Sequence, residues 1–225
     1  MEVNARFDRR VLVHSAQMPW VDSPVGGVQR RMLDRVGGEV ARATSIVRYA
    51  AGSRFTAHTH GGGEEFIVLE GIFQDEHGDF PVGSYIRNPP TTRHTPGSAT
   101  GCVIFVKLWQ FDPADRTSVV IDMNKMGSVR AADRPGVAVM PLFQDARETV
   151  QCETWDAGAR VTMAMPEGAE LLVLDGSLTD HGDTLHPHSW LRLPMGDTLD
   201  AVAGPRGARV WIKLRGLRCV GGPRV

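Results

Sequence analysis

The stretch AHTHGGGEEFIVLEG, residues 57–71, sets two imidazoles, three glycines, two carboxylates and an apolar run side by side. An extended chain alternates its side chains, so His58 and His60 share a face. Gly61, Gly62 and Gly63 permit a tight turn where bulkier residues would strain. Glu64 then opens a strand on which Glu64, Phe66 and Val68 share one face and Glu65, Ile67 and Leu69 the other. Such a turn folds Glu64 back beside the histidines. His94, reached after GDFPVGSYIRNPP, supplies a third imidazole. These four groups on neighbouring strands can surround one divalent ion, since zinc takes nitrogen at about 2.0–2.1 Å and carboxylate oxygen at about 2.0–2.2 Å. Iron, nickel, copper and manganese accept similar sets. A His-x-His pair alone is as readily two solvent-facing histidines. The glycine turn, Glu64 and His94 weigh against that here.

Outward from this stretch, the short apolar runs TSIVRY, EFIVLEGIF, SYIRNP and CVIFVKLW have strand length and end in turn residues. Helical periodicity is hard to find, and the pattern predicts an all-β sandwich or barrel. The chain also repeats itself. YAAGSRFTAHTHGGGEEFIVLEGIFQDEHGDF, from Tyr49, aligns with WDAGARVTMAMPEGAELLVLDGSLTDHGDTL, from Trp155. Gly52 meets Gly158, IVLEG meets LVLDG, and GCVIFVKL meets GARVWIKL, at an offset of 105 or 106 residues. Two copies of one β-module follow. The boundary falls near residues 111–135, which lack strand alternation, giving a first domain over 1–115, with an N-terminal extension, and a second over 116–225.

The bulk numbers agree with a globular protein. Net charge is -1 over 225 residues with no basic stripe, so nucleic acid is not an expected partner. Cys102, Cys152 and Cys219 are too widely spaced for a zinc knuckle or disulfide framework. The start MEVNARFDRR leads into no apolar segment, and no run reaches the ~20 residues that span a bilayer. A cytoplasmic location, without membrane contact, is the expectation.

The spacing from Gly52 through His58, His60 and Glu64 to Gly71 resembles the first cupin motif, and that from Gly83 through Pro89 to His94 the second. Thr91 and Ser98 depart from the second motif at positions that shape a turn. GGGEEF, GDFPVGSY and RNPPTTRHTPGS are similar to the ChrR-like cupins, the zinc-binding module of a class of bacterial anti-sigma factors. The resemblance implies a bicupin of two tandem jelly-roll barrels. It implies His58, His60, Glu64 and His94 as ligands of one divalent ion, zinc before iron, nickel or manganese. Glu65 is then the neighbour that points away, a surface or supporting carboxylate, and Tyr85 and Arg87 lie on the strand leading to His94. The sigma-binding module of those relatives carries a His-x3-Cys-x2-Cys motif that nothing here matches, so a sigma-factor partner is not supported.

By alignment the second copy puts Ala164 at His58, Pro166 at His60 and Leu199 at His94, with Glu170 near Glu64. It is expected to be a metal-free structural or dimerising barrel, so a homodimer is in view. His181, His186 and His188 read as surface histidines of a loop. Two function classes stay open: a metal-binding regulatory or sensor module linked to stress-responsive transcription, and a metal-dependent dioxygenase-type enzyme acting on a small molecule. A third, weaker reading is a metal-free ligand-binding barrel. No catalytic residue, and no organic cofactor, is assigned.

Overall fold

The computed structural model describes residues 1–38 and 40–217; Cys219 lies outside them. Apart from one 3-10 turn at Ser15–Gln17, the regular elements are strands. No described helix is long and apolar enough to cross a membrane.

The described residues form two compact units, one of residues 1–5 and 19–125, the other of residues 6–18 and from 126 on. This division differs from a cut near 115 at two places, and strand pairing gives the reason. Val119–Asp122 pairs antiparallel with Ser84–Asn88 of the first unit. Val11–His14 pairs with Ser189–Leu193 of the second. Each sheet thus takes one flanking strand from outside its own repeat.

Within the first unit the sheet runs Glu2–Val3, Val28–Gly37, Ala41–Tyr49, Cys102–Leu108, Glu64–Asp75, Ser84–Asn88, Val119–Asp122. The second repeats the order as Val129–Arg130, Val137–Gln144, Thr149–Trp155, Asp197–Leu214, Ala169–Asp180, Ser189–Leu193, Val11–His14. The two halves are tandem cupin jelly-roll barrels. The long strand Glu64–Asp75 serves both sides of its barrel. Its first half pairs with Ser84–Asn88, and its second half with Gly78–Pro81 and Gly97–Ser98. Leu69 is skipped in the pairing with Cys102–Leu108, and Leu174 is skipped at the same place in the second unit. A bulge adds bend and twist, which is what wrapping a strand around a barrel needs. Two residues on, Gly71 and Gly176 have φ of 69° and 71°, and a Cβ on either would collide with the carbonyl of Gly101 or Gly207.

Phe66, Val68, Phe73, Ile86, Cys102, Ile104 and Val106 form the buried interior of the first barrel. The alternation read from residues 64–69 therefore holds, with Glu64 on the interior face. The opposite face is not a surface. Glu65 is 2% exposed and accepts a hydrogen bond from the Tyr85 hydroxyl at 2.6 Å. Across the strands Glu65 stands opposite Arg87 and Lys107, both buried. Arg87 reaches Asp115 at 3.1 Å and stacks on Phe111. The second unit repeats this arrangement with Glu170, opposite Arg192 and Lys213 and bonded by Trp190 Nε1 at 3.2 Å. Glu65 is therefore no surface carboxylate, and Tyr85 and Arg87 do not face the interior.

Candidate metal centre

The four residues singled out in the sequence converge. One donor atom each from His58, His60, Glu64 and His94 lies within 4.8 Å of every other. His58–Thr59 pairs with Arg93–His94, setting His58 directly opposite His94. Backbone bonds between His60 and the loop of Thr91 and Thr92, 2.9 Å each, fix the next histidine. Glu64 is carried in by the start of its strand.

The donor geometry is tight. His60 Nε2 and His94 Nε2 are 3.2 Å apart, and Glu64 Oε2 lies 3.3 Å from the first and 3.5 Å from the second. Ligands at about 2.0–2.1 Å from one ion stand roughly 3.3 Å apart in a tetrahedron and roughly 2.9 Å apart at an octahedral corner. The three distances fit a shared cation and lie nearer the tetrahedral value.

The far side of each ring explains why the Nε2 atoms are available. The Thr92 hydroxyl donates to Pro89 O at 2.7 Å, so toward His60 Nδ1, 2.9 Å away, it can only accept. Asp75 Oδ2 accepts from His94 Nδ1 at 3.1 Å, and Thr56 O from His58 Nδ1 at 3.4 Å. With each Nδ1 carrying the proton, each Nε2 turns a lone pair inward. Lone pairs and a carboxylate crowded together are stable around a cation. Asn88 Nδ2 also donates to Glu64 Oε2, at 3.3 Å.

Burial and charge sort the four. His60, Glu64 and His94 are buried, while His58 is exposed and gives the centre its solvent-facing side. The inner side of the His58 ring is still partly screened from water by its neighbours, and this partial desolvation pulls the imidazole below the usual histidine range, against the attraction of Glu64. Burial also pulls on His94, but the Asp75 hydrogen bond and the Glu64 charge override it and raise its pKa. For Glu64, burial pushes the carboxyl up, yet once His60 is protonated at Nε2 as well, its hydrogen bond to Glu64 and the charge of the surrounding imidazoles hold the carboxyl below the ordinary range. Sequence reading missed Asp75 and Thr92. Asp75 lies at the end of the Glu64 strand and carried no spacing signal.

The second barrel corrects the alignment by one residue. Leu199 pairs with Met163, as His94 pairs with His58. Met163 thus stands at His58, Met165 at His60 and Ala169 at Glu64, while Glu170 corresponds to Glu65. Sequence alignment alone slips here because, of the three turn glycines, only Gly63 keeps a counterpart in MAMPEG, Gly168, while Pro166 and Glu167 stand for the other two. Met165, Ala169 and Leu199 are at most 1% exposed and belong to an apolar cluster of seventeen buried residues, with Met163 packed against it. Among the described residues, one group of three or more potential donors comes together, and it contains neither His181, His186 nor His188. Cys102 and Cys152 are free and buried; burial raises the Cys102 thiol to about 11, so it is an inert core residue.

Residues 8–112 match a family model described as the ChrR Cupin-like domain. No curated protein sequence matches the chain. Among solved structures, a candidate dioxygenase from Nostoc punctiforme superposes with a TM-score of 0.76 at 13% identity, over 97% of this chain and 87% of that one. YlbA of Escherichia coli superposes at 0.70 and 11% identity, over 98% of this chain and 95% of that one. The pirin YhhW of Escherichia coli, in complex with nickel(II), superposes at 0.66 and 15% identity, over 92% of this chain and 99% of that one. At such identities the likeness is one of fold. The chain is a two-barrel cupin whose residues 8–112 match the ChrR cupin-like domain, with a His3Glu cluster able to hold a divalent metal.

Proposed function

We propose that the first barrel binds one zinc ion through His58, His60, Glu64 and His94 and works as a metal-dependent regulatory or sensor module. The observation that carries this is the spacing of the three buried donors, 3.2, 3.3 and 3.5 Å, around one point. Four protein ligands complete a tetrahedral zinc shell. The barrel topology does not itself call for an ion, because the second barrel keeps it around an apolar plug. Its role is then chemical. The exposed position of His58 makes it the ligand that a small-molecule effector reaches and exchanges first. A link to stress-responsive transcription follows only from the ChrR relationship. The same reading has the protein work in the cytoplasm as a homodimer, and no residue here argues for a sigma-factor partner.

The same exposure favours a second reading, a metal-dependent dioxygenase-type enzyme. Iron held by three imidazoles and a carboxylate would supply redox chemistry with positions left for a substrate. The likeness in fold to the Nostoc candidate dioxygenase is compatible with it. Elemental analysis of protein purified without added metal separates the two. One equivalent of zinc per chain, with no oxygen uptake by the iron-loaded form, supports the sensor. Iron with oxygen uptake on a small diketone or phenol supports the enzyme. Absence of any stoichiometric metal defeats both.

A further inference from the structure

We infer that Trp109 is a positioning residue of the metal centre, holding the turn that separates His60 from Glu64. The inference rests on the metal-binding reading and adds to it a residue that touches no ion.

The three glycines of the turn are glycines for two different reasons. Gly63 has φ of 78°, a left-handed backbone that other residues adopt at a cost. Gly61 and Gly62 have no such requirement, since neither has positive φ. What excludes a side chain there is one indole. A Cβ on Gly61 would lie 2.9 Å from Trp109 Cζ2, and a Cβ on Gly62 would overlap Trp109 Cδ2 and Cε3. The ring lies flush on the backbone that joins two ligands. It is held there by its own strand end. Trp109 N donates to Gly63 O at 3.1 Å, Phe111 N donates to Gly62 O at 3.4 Å, and Trp109 itself has a left-handed φ of 60°. A non-glycine residue adopts that conformation only where its surroundings impose it. On its other side, His60 is tied by two backbone bonds to Thr91 and Thr92. The turn is therefore gripped from both flanks, and the grip sets the 3.3 Å between His60 Nε2 and Glu64 Oε2.

The second barrel is an internal control. Arg215 takes the place of Trp109, with φ of 69° and a 3.1 Å bond from its N to Gly168 O. The backbone clasp is thus common to both copies. The indole is not, because the Arg215 guanidinium runs instead to Asp145 O and Thr149 Oγ1. The places of Gly61 and Gly62 are filled there by Pro166 and Glu167. Ring and bare backbone occur together in the copy that carries the ligands, and both are gone from the copy that lacks them.

The test uses the full chain, zinc competition against a chromophoric chelator, and the visible spectrum of the cobalt(II)-loaded protein. Trp109→Ala is expected to weaken zinc binding about 10–100-fold, the usual effect of losing support behind a ligand, and to change the cobalt spectrum. Trp109→Phe should recover most of the affinity. Gly62→Ala should displace the indole and weaken binding alone, yet add nothing in the Trp109→Ala background. Unchanged affinity and spectrum in Trp109→Ala, with only a lower melting temperature, would show a purely structural ring and overturn the inference. So would independent, additive effects of the two substitutions. A wild-type chain that takes up neither zinc nor cobalt overturns the metal reading itself, and this inference with it.

Discussion

Asp75 Oδ2 stands 3.1 Å from His94 Nδ1, and both side chains are at most 5% exposed. A buried carboxylate behind a ligand fixes the ring's orientation and makes its other nitrogen more basic. Asp75→Ala should therefore lower metal affinity about 10–100-fold, and Asp75→Asn, which keeps an acceptor but loses the charge, should lower it less. Chelator competition on the three proteins checks the order.

Removing a ligand is a larger change. His60→Ala and His94→Ala each delete one of two nitrogens that face each other across 3.2 Å. Affinity should fall by more than about 100-fold in each, beyond the range of supporting residues. Circular dichroism should stay that of a folded β protein, because the second barrel folds without these groups. Loss of the barrel signal with the metal would instead mark the ion as a folding element.

Acid should release the ion. Imidazoles that bind metal must be unprotonated, so observed affinity falls about tenfold per pH unit for each proton that must be displaced. The sign for His94 is upward, since Asp75 and Glu64 outweigh burial, and it takes up a proton at higher pH than an ordinary histidine. His58 shifts the other way and protonates later. Competition measured from about pH 8 to about pH 5 should show affinity beginning to fall at the high end of the histidine range. An affinity flat through that range would mean imidazoles are not the ligands.

The second barrel predicts the opposite separation. Leu199 is fully buried at the place of His94. Leu199→Ala should destabilise by about 2–5 kcal/mol through lost burial and the cavity left behind, measured by denaturant unfolding. Zinc stoichiometry should not change.

The fold was readable from residues 57–71 because a strand's alternation and a ligand's chemistry coincide there. The register of Glu64, Phe66 and Val68 followed from period alone. The repeat was readable because Gly52 and Gly71, and their counterparts Gly158 and Gly176, all adopt left-handed backbone. The exact match at the lost ligands was not, since Pro166 and Glu167 replace glycines and only cross-strand pairing fixes the register. Glu65 looked like a surface acid because one sequence says nothing about what covers a sheet's second face. Trp109 looked like the end of a strand. Its contact with Gly61 and Gly62 joins residues far apart in the chain, which no local pattern reports.

Val11–His14 closes the edge of a sheet whose neighbouring strand begins only at Ser189. During synthesis the earlier segment leaves the ribosome long before its partner exists. It must wait, unpaired, while nearly the whole chain is made, and pairings this distant are the slow ones to form. Expressing the C-terminal half by itself would leave the Ser189–Leu193 edge bare, open to any passing strand.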